Sequence, residues 1–151
     1  MRLRMTVSAL LLCCISGAVA QPAAPQLDLL WQIEGLSSPE SVALSADGAF
    51  LYVSNVNGEG DERDGNGFIS RIGVDGEILE REWATGLNGP KGIALAGGAL
   101  FVSDIDQVVI IDASTGKITQ TIPVPGAQFL NDIAVLEDGT VLVADSANAR
   151  I

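Results

Sequence analysis

The stretch FLNDIAVLEDGTVLVADS, Phe129 to Ser146, decides the fold, because two earlier stretches repeat its plan. They are SPESVALSADGAFLYVSN (Ser38 to Asn55) and GPKGIALAGGALFVSD (Gly89 to Asp104). Each has a small or polar lead-in, an apolar run, a Gly-containing turn, a second apolar run and a closing Asn or Asp. Val42, Ile93 and Ile133 hold one place in the first run, and Val53, Val102 and Val143 hold one place in the second. A period near 40 residues built from short strands is the signature of propeller blades. The wider first interval contains one insertion, NVNGEGDERDGNG, between Asn55 and Gly67.

Four strands are expected in each full repeat. The first is SVALS, GIALA or DIAVL, and the second is FLYVS, LFVSD or VLVAD. Asp47-Gly48, Gly97-Gly98 and Asp138-Gly139 supply positive-φ turn positions between them, a strong hairpin signal. The third strand is FISRIGV or VVIIDA, and the fourth is EILEREWAT or KITQTIPV. The apolar first and second strands are expected to be buried on both faces, and the charged, alternating fourth strand to form an outer edge. With no sustained helical period after residue 20, the expected class is all-β, a β-propeller.

The two ends extend this pattern. LDLLWQIEGL (Leu27 to Leu36) matches EILEREWATGL (Glu77 to Leu87), so an outer, ring-closing strand is expected at 27–36. Blade one then covers 37–86, blade two 87–126 and an incomplete blade three 127–151. Ala149-Arg150-Ile151 falls where Ser70-Arg71-Ile72 begins the third strand of blade one. About two and a half blades are accounted for, and the expected parent is a six-bladed ring of which this is the N-terminal half. Open blade edges make self-association an expected property.

The first twenty residues, MRLRMTVSALLLCCISGAVA, read as a cleaved secretory leader. Arg2 and Arg4 precede a short apolar core, and Ala18-Val19-Ala20 is a small-x-small cleavage pattern. The apolar run is shorter than a membrane span. Leu12 and Cys13, which precede the two cysteines, are not the small residues that a lipidation signal needs. Residues 21–26 are then a linker, the product is periplasmic or secreted with no membrane attachment, and it contains no cysteine to form a disulfide.

Composition removes several chemistries. The chain has no histidine, which excludes Ser-His-Asp triads and His-ligated zinc. A net charge of −11 and no basic–aromatic cluster exclude nucleic-acid binding. No G-x-S-x-G elbow and no Gly-rich phosphate loop is present. What remains is carboxylate, amide, hydroxyl or lysine chemistry on a small-molecule substrate or ligand.

The segments SPESVALS…YVSN, DGNGFISRI, GLNGPKGIAL, VSDID and AQFLNDIAV…VADS resemble the senescence-marker-protein/gluconolactonase-like superfamily of six-bladed propellers, in its exported bacterial form. The resemblance runs from about Leu29 to Ile151. It implies a divalent cation (Ca²⁺, Mg²⁺ or Mn²⁺) at the central channel, held by a Glu from an early blade and by Asn and Asp from later ones. It also implies hydrolysis of sugar lactones or related small esters, with the ion polarising the carbonyl. Through it, the lead-in positions Glu40 and Asn131 become candidate metal ligands, and Asn131 and Lys91 candidate substrate contacts. Asp132 becomes a candidate catalytic carboxylate. Glu40 is offset by one place from the family's Glu, and Lys91 departs from a metal cage; it is expected either to pair with Glu40 or to meet an anionic substrate. The alternative is a non-catalytic, exported propeller that binds ligands through loops on one face of the ring.

Two further groups stand apart from the resemblance. Asn55, Asp104 and Asp145 recur at second-strand ends, which points to a capping role at the turn into the third strand. Glu62, Asp64 and Asn66 in the insertion fall on calcium-loop offsets, although Gly73 stands where the bidentate Glu belongs. A calcium-binding loop and a solvated acidic loop are both open readings of them.

Overall fold

The computed structural model of the protein describes residues 28–151. The leader at 1–20 and the linker at 21–26 lie outside the described residues. Among the described residues ten antiparallel strands make up three sheets, and the fold there is all-β. Strands β1 (Pro39–Leu44), β2 (Phe50–Asn55), β3 (Gly67–Gly73) and β4 (Ile78–Leu87) form the first sheet, in chain order. Strands β5 (Pro90–Ala96), β6 (Ala99–Asp104), β7 (Gln107–Asp112) and β8 (Ile118–Pro123) form the second sheet with the same order. The third sheet pairs β9 (Leu130–Val135) with β10 (Val141–Asp145). Among the described residues no helix is long and apolar enough to cross a membrane.

The equivalences read from sequence reappear as cross-strand pairs: Val42 faces Val53, Ile93 faces Val102, and Ile133 faces Val143. Period-2 alternation causes this, because residues that share a pleat face must sit opposite one another to bury together. Gly48, Gly98 and Gly139 take positive φ in the intervening hairpins, as those turns require. Each sheet also has a register shift at the same place: between Pro39 and Val42, between Pro90 and Ile93, and opposite Leu130 to Ile133. Such bulges bend the strand and redirect the side chains within them.

The core lies between the first and second sheets. Tyr52, Ile69, Ala84 and Leu87 of the first pack on Ile93, Leu100, Val102, Val109 and Ile111 of the second. Burying each large side chain contributes about 1.5–3 kcal/mol. Tyr52 keeps its hydroxyl satisfied by donating to the Ala113 carbonyl at 2.7 Å, and its ring lies 5.0 Å from Trp83. The sheets stack through their first strands, β1 beside β5 and β5 beside β9.

Three sequence expectations change. Burial on both faces holds for the middle sheet but not for β1, where Val42 and Leu44 are exposed, nor for β9 and β10, where Leu142 is exposed, because the described residues place no sheet on those sides. Residues 28–36 form no strand. Among the described residues no sheet edge pairs with them, and side chains hold them instead. Trp31 Nε1 donates to the Val74 carbonyl at 2.8 Å, and Arg81 Nε donates to the Gly35 carbonyl at 2.9 Å. Arg150 bridges Asp145, the place that Phe68 takes opposite Asn55, so the final residues align three positions earlier than the Ser70-Arg71-Ile72 match suggests.

Candidate functional site

The bulged starts of β1, β5 and β9 stand side by side at one end of the stack, and they carry Glu40, Lys91 and Asn131-Asp132. Two serines fix their spacing. Ser54 Oγ donates to the Lys91 carbonyl at 2.7 Å, and Ser103 Oγ donates to the Asn131 carbonyl. These bonds run between sheets, from the second strand of one to the bulge of the next. Gly92 permits the close approach: a Cβ there would lie 2.6 Å from the Asn131 carbonyl oxygen and 2.8 Å from the Ile133 nitrogen.

Lys91 is buried. Its ammonium donates to the Gly60 carbonyl at 2.7 Å and to the Gly89 carbonyl at 2.9 Å, and it lies 4.1 Å from the centre of the Phe129 ring. An ammonium has three donors, so one is left. The expected ion pair with Glu40 is not formed among the described residues, because the two backbone carbonyls and the aromatic face already solvate the charge. Burial pushes the Lys91 amine below its ordinary range, while the carboxylates of Asp104, Glu40 and Asp61 oppose that shift.

Glu40 keeps an exposed flank, yet its carboxyl is held above the ordinary carboxylate range. Partial desolvation is the largest cause, the Asp132 carboxylate acts the same way, and Lys91 opposes both. Glu40 therefore feels the charges of Asp132 and Lys91, which come from the other two sheets. Asn131 is half-buried and Asp132 exposed.

The insertion covers this end. Gly60 sits so close to Gly89 that a Cβ on Gly89 would lie 2.8 Å from the Gly60 carbonyl oxygen. Arg63 reaches Asp106, in the turn between β6 and β7, at 2.6 Å. Asn57 Nδ2 donates to the Asn66 carbonyl at 2.9 Å, closing the loop on itself. The Asp64 carboxylate accepts from both the main chain and the side chain of Asn66, so these two form a local turn. Glu62 is exposed on the same loop.

Asn55, Asp104 and Asp145 do cap, but chiefly the segment leading into their own sheet. Asn55 Oδ1 accepts from Ser37 N at 2.9 Å. Asp104 accepts from Asn88 N at 3.1 Å and from Gly89 N at 2.7 Å, and Asp145 from Phe129 N at 3.1 Å. Side chains of the turn into the third strand add Gln107 Nε2 to Asp104 and Asn148 Nδ2 to Asp145. Burial works to raise the Asp145 carboxyl, but hydrogen bonds from Asn148, Phe129 and Gln128 together hold it below the usual range.

Among the described residues no three acidic side chains converge, and the Lys91 ammonium adds a positive charge that Glu40 feels. Sequence reasoning missed Phe129 and Gly60, the partners of Lys91, and it missed the spacer role of Ser54 and Ser103. Only the serines left a signal, in the recurring VSN and VSD ends. No protein-family model matches this sequence, and no curated protein matches it.

Proposed function

We propose that the three sheets belong to an exported β-propeller of the senescence-marker-protein/gluconolactonase-like type that binds a small polar molecule at the bulged strand starts. The observation that carries this is the side-by-side placement of Glu40, Lys91 and Asn131-Asp132 on the bulged starts of three consecutive sheets, tied by the Ser54–Lys91 and Ser103–Asn131 hydrogen bonds, beneath a loop latched by Gly60 and Arg63. Mixed charge and hydroxyl- or amide-compatible partners suit a polyhydroxy compound bearing a carbonyl or carboxylate, such as an aldonolactone or aldonic acid. Glu40 and Asn131 accept or donate hydrogen bonds, and the remaining Lys91 donor meets a carbonyl or carboxylate oxygen. Calorimetric titration with an aldonolactone panel tests the reading. Binding that is weakened by Glu40→Gln and by Asn131→Ala supports it, and no binding by any member ends it.

A second reading, hydrolysis of a lactone or small ester, is favoured by one observation. The Glu40 carboxyl is shifted upward, the direction in which a carboxylate is tuned for general acid–base work. Turnover that disappears in Glu40→Gln would support hydrolysis. Turnover that also disappears with a chelator would point to the family's metal chemistry, supplied by residues other than those described. Binding without turnover leaves the ligand-binding protein alone.

A further inference from the structure

We propose that the cleft between the first and second sheets, at the hairpin end of their strands, binds a small monocarboxylate with an apolar body, its carboxylate held by the Arg71 guanidinium. The cleft lies opposite the bulged strand starts and measures about 300 Å³, the lower end of the range typical of ligand sites. Ser45, Phe50 and Tyr52 line it from the first sheet, and Leu95, Ala113 and Ser114 from the second. Both walls therefore lie within the described residues, at a junction that the chain itself forms.

Arg71, in β3, is the cross-strand partner of Tyr52 and so shares the face that meets the second sheet. Its guanidinium carbon lies 4.0 Å from the centre of the Phe50 ring and 5.8 Å from that of Trp83. The rings hold the guanidinium in place but accept none of its N–H groups. Among the described residues none of its five donors has a hydrogen-bond or ion-pair partner, and Nε is buried. A buried donor without an acceptor is rare and calls for a partner such as an ion. The side chain as a whole is only half-buried, so a ligand can reach it. The polar side chains of the walls are already engaged. Ser45 Oγ donates to Asp47 at 2.7 Å, Ser114 Oγ to Asp112 at 2.6 Å, and the Tyr52 hydroxyl to the Ala113 carbonyl. The Arg71 fork is thus the side-chain donor left for a ligand, and its geometry matches a planar carboxylate. Beyond it a ligand meets the Phe50 ring, Leu95 and Ala113, which suit an apolar body. The Tyr52 hydroxyl feels Asp47 and Asp112 as well as Arg71. Those two carboxylates, with the net charge of −11, favour a single negative charge over phosphate or a dicarboxylate. The inference is independent of the ligand site at the strand starts.

The test is calorimetric titration of the full chain with benzoate, benzamide and inorganic phosphate. Benzoate is expected to bind, and benzamide and phosphate to bind about tenfold more weakly or less, the value of a charge-assisted hydrogen bond. Arg71→Gln is expected to weaken benzoate binding about tenfold or more. Arg71→Lys, which keeps the charge without the fork, is the second variant should the first fail to fold by circular dichroism, and is expected to weaken binding too. An aldonolactone in excess is expected to leave the benzoate affinity unchanged. Benzoate binding no tighter than about 10 mM, or unchanged in a folded Arg71 variant, would overturn the proposal. So would competition by the aldonolactone, which would move benzoate to the strand starts. Benzamide or phosphate binding as tightly as benzoate would overturn the assignment of a monocarboxylate.

Discussion

Replacing Asp104 with Ala perturbs the most heavily used buried carboxylate in the second sheet. Its side chain is fully buried and accepts from the backbone amides of Asn88 and Gly89, from Asn88 Nδ2 and from Gln107 Nε2. Truncation leaves two main-chain N–H groups without an acceptor, at about 1–3 kcal/mol each. The two side-chain donors reach water more easily and add less. A loss of about 4 kcal/mol is expected, a large fraction of the 5–15 kcal/mol typical of a domain. The assay is urea unfolding followed by tryptophan fluorescence, with Trp83 as the reporter beside Tyr52. At an m-value of about 2 kcal/mol per molar, the midpoint should fall by about 2 M. Asp104→Asn, which copies the residue found at Asn55, retains one acceptor oxygen and should lose about half as much. If Asp104→Ala stays within about 1 kcal/mol of wild type, the capping network does not hold the lead-in segment and the reasoning fails.

Gly92→Ala would force a methyl group against the Asn131 and Ile133 backbone, and should cost about 1–3 kcal/mol in the same unfolding assay. Gly97→Ala is the comparison: it meets no atom but must adopt positive φ, and should cost about 1 kcal/mol. Acid should destabilise the protein, because Asp47, Asp106, Asp112, Asp138 and Asp145 all have carboxyls below their ordinary value of 3.8 in the folded chain. Their stabilisation is present above that value and is lost as pH falls through the folded values, so thermal midpoints should drop below about pH 4. Glu40, shifted upward, has the opposite sign: its ionised form opposes folding, so Glu40→Gln should stabilise at neutral pH and converge with wild type in acid. Asp106→Asn frees the Arg63 guanidinium and should speed tryptic cleavage after Arg63, read by mass spectrometry; an unchanged rate would mean that the ion pair does not latch the loop.

The repeated sheets were legible because burial leaves a period. Val42, Ile93 and Ile133 could be aligned before any strand was paired, since a pleated strand must place its apolar residues at every second position. Residues 28–36, most of the ring-closing strand expected at 27–36, form no strand among the described residues. Trp31 and Ile33 look like strand residues in a pattern copied from Trp83, but a strand exists only where a neighbour completes its ladder. Here both side chains pack near Gly76 instead. Composition and spacing carry apolar periodicity, not the identity of the partner.

The candidate site was legible only in part. Glu40, Lys91 and Asn131 were visible as equivalent lead-in residues, and the bulges gather them as that equivalence requires. The fate of Lys91 was not visible. Its partners are the carbonyls of Gly60 and Gly89 and the ring of Phe129, supplied by an insertion and by the next sheet. Backbone carbonyls leave no residue-type signal, so the sequence offered Glu40 as its partner and the fold chose others. Asp104 and Asp145 showed the reverse: recurrence announced a structural duty, and only the direction of the capping, back toward the first strand, required coordinates.

The convergence of the three strand starts can be tested most directly by titrating Glu40 with its side-chain carboxyl carbon followed by NMR. We predict a midpoint above the ordinary 4.5, lowered by Asp132→Asn and raised further by Lys91→Met. A midpoint at the ordinary value, unmoved by either substitution, would mean that the three sheets do not bring these charges together and would contradict the proposed site.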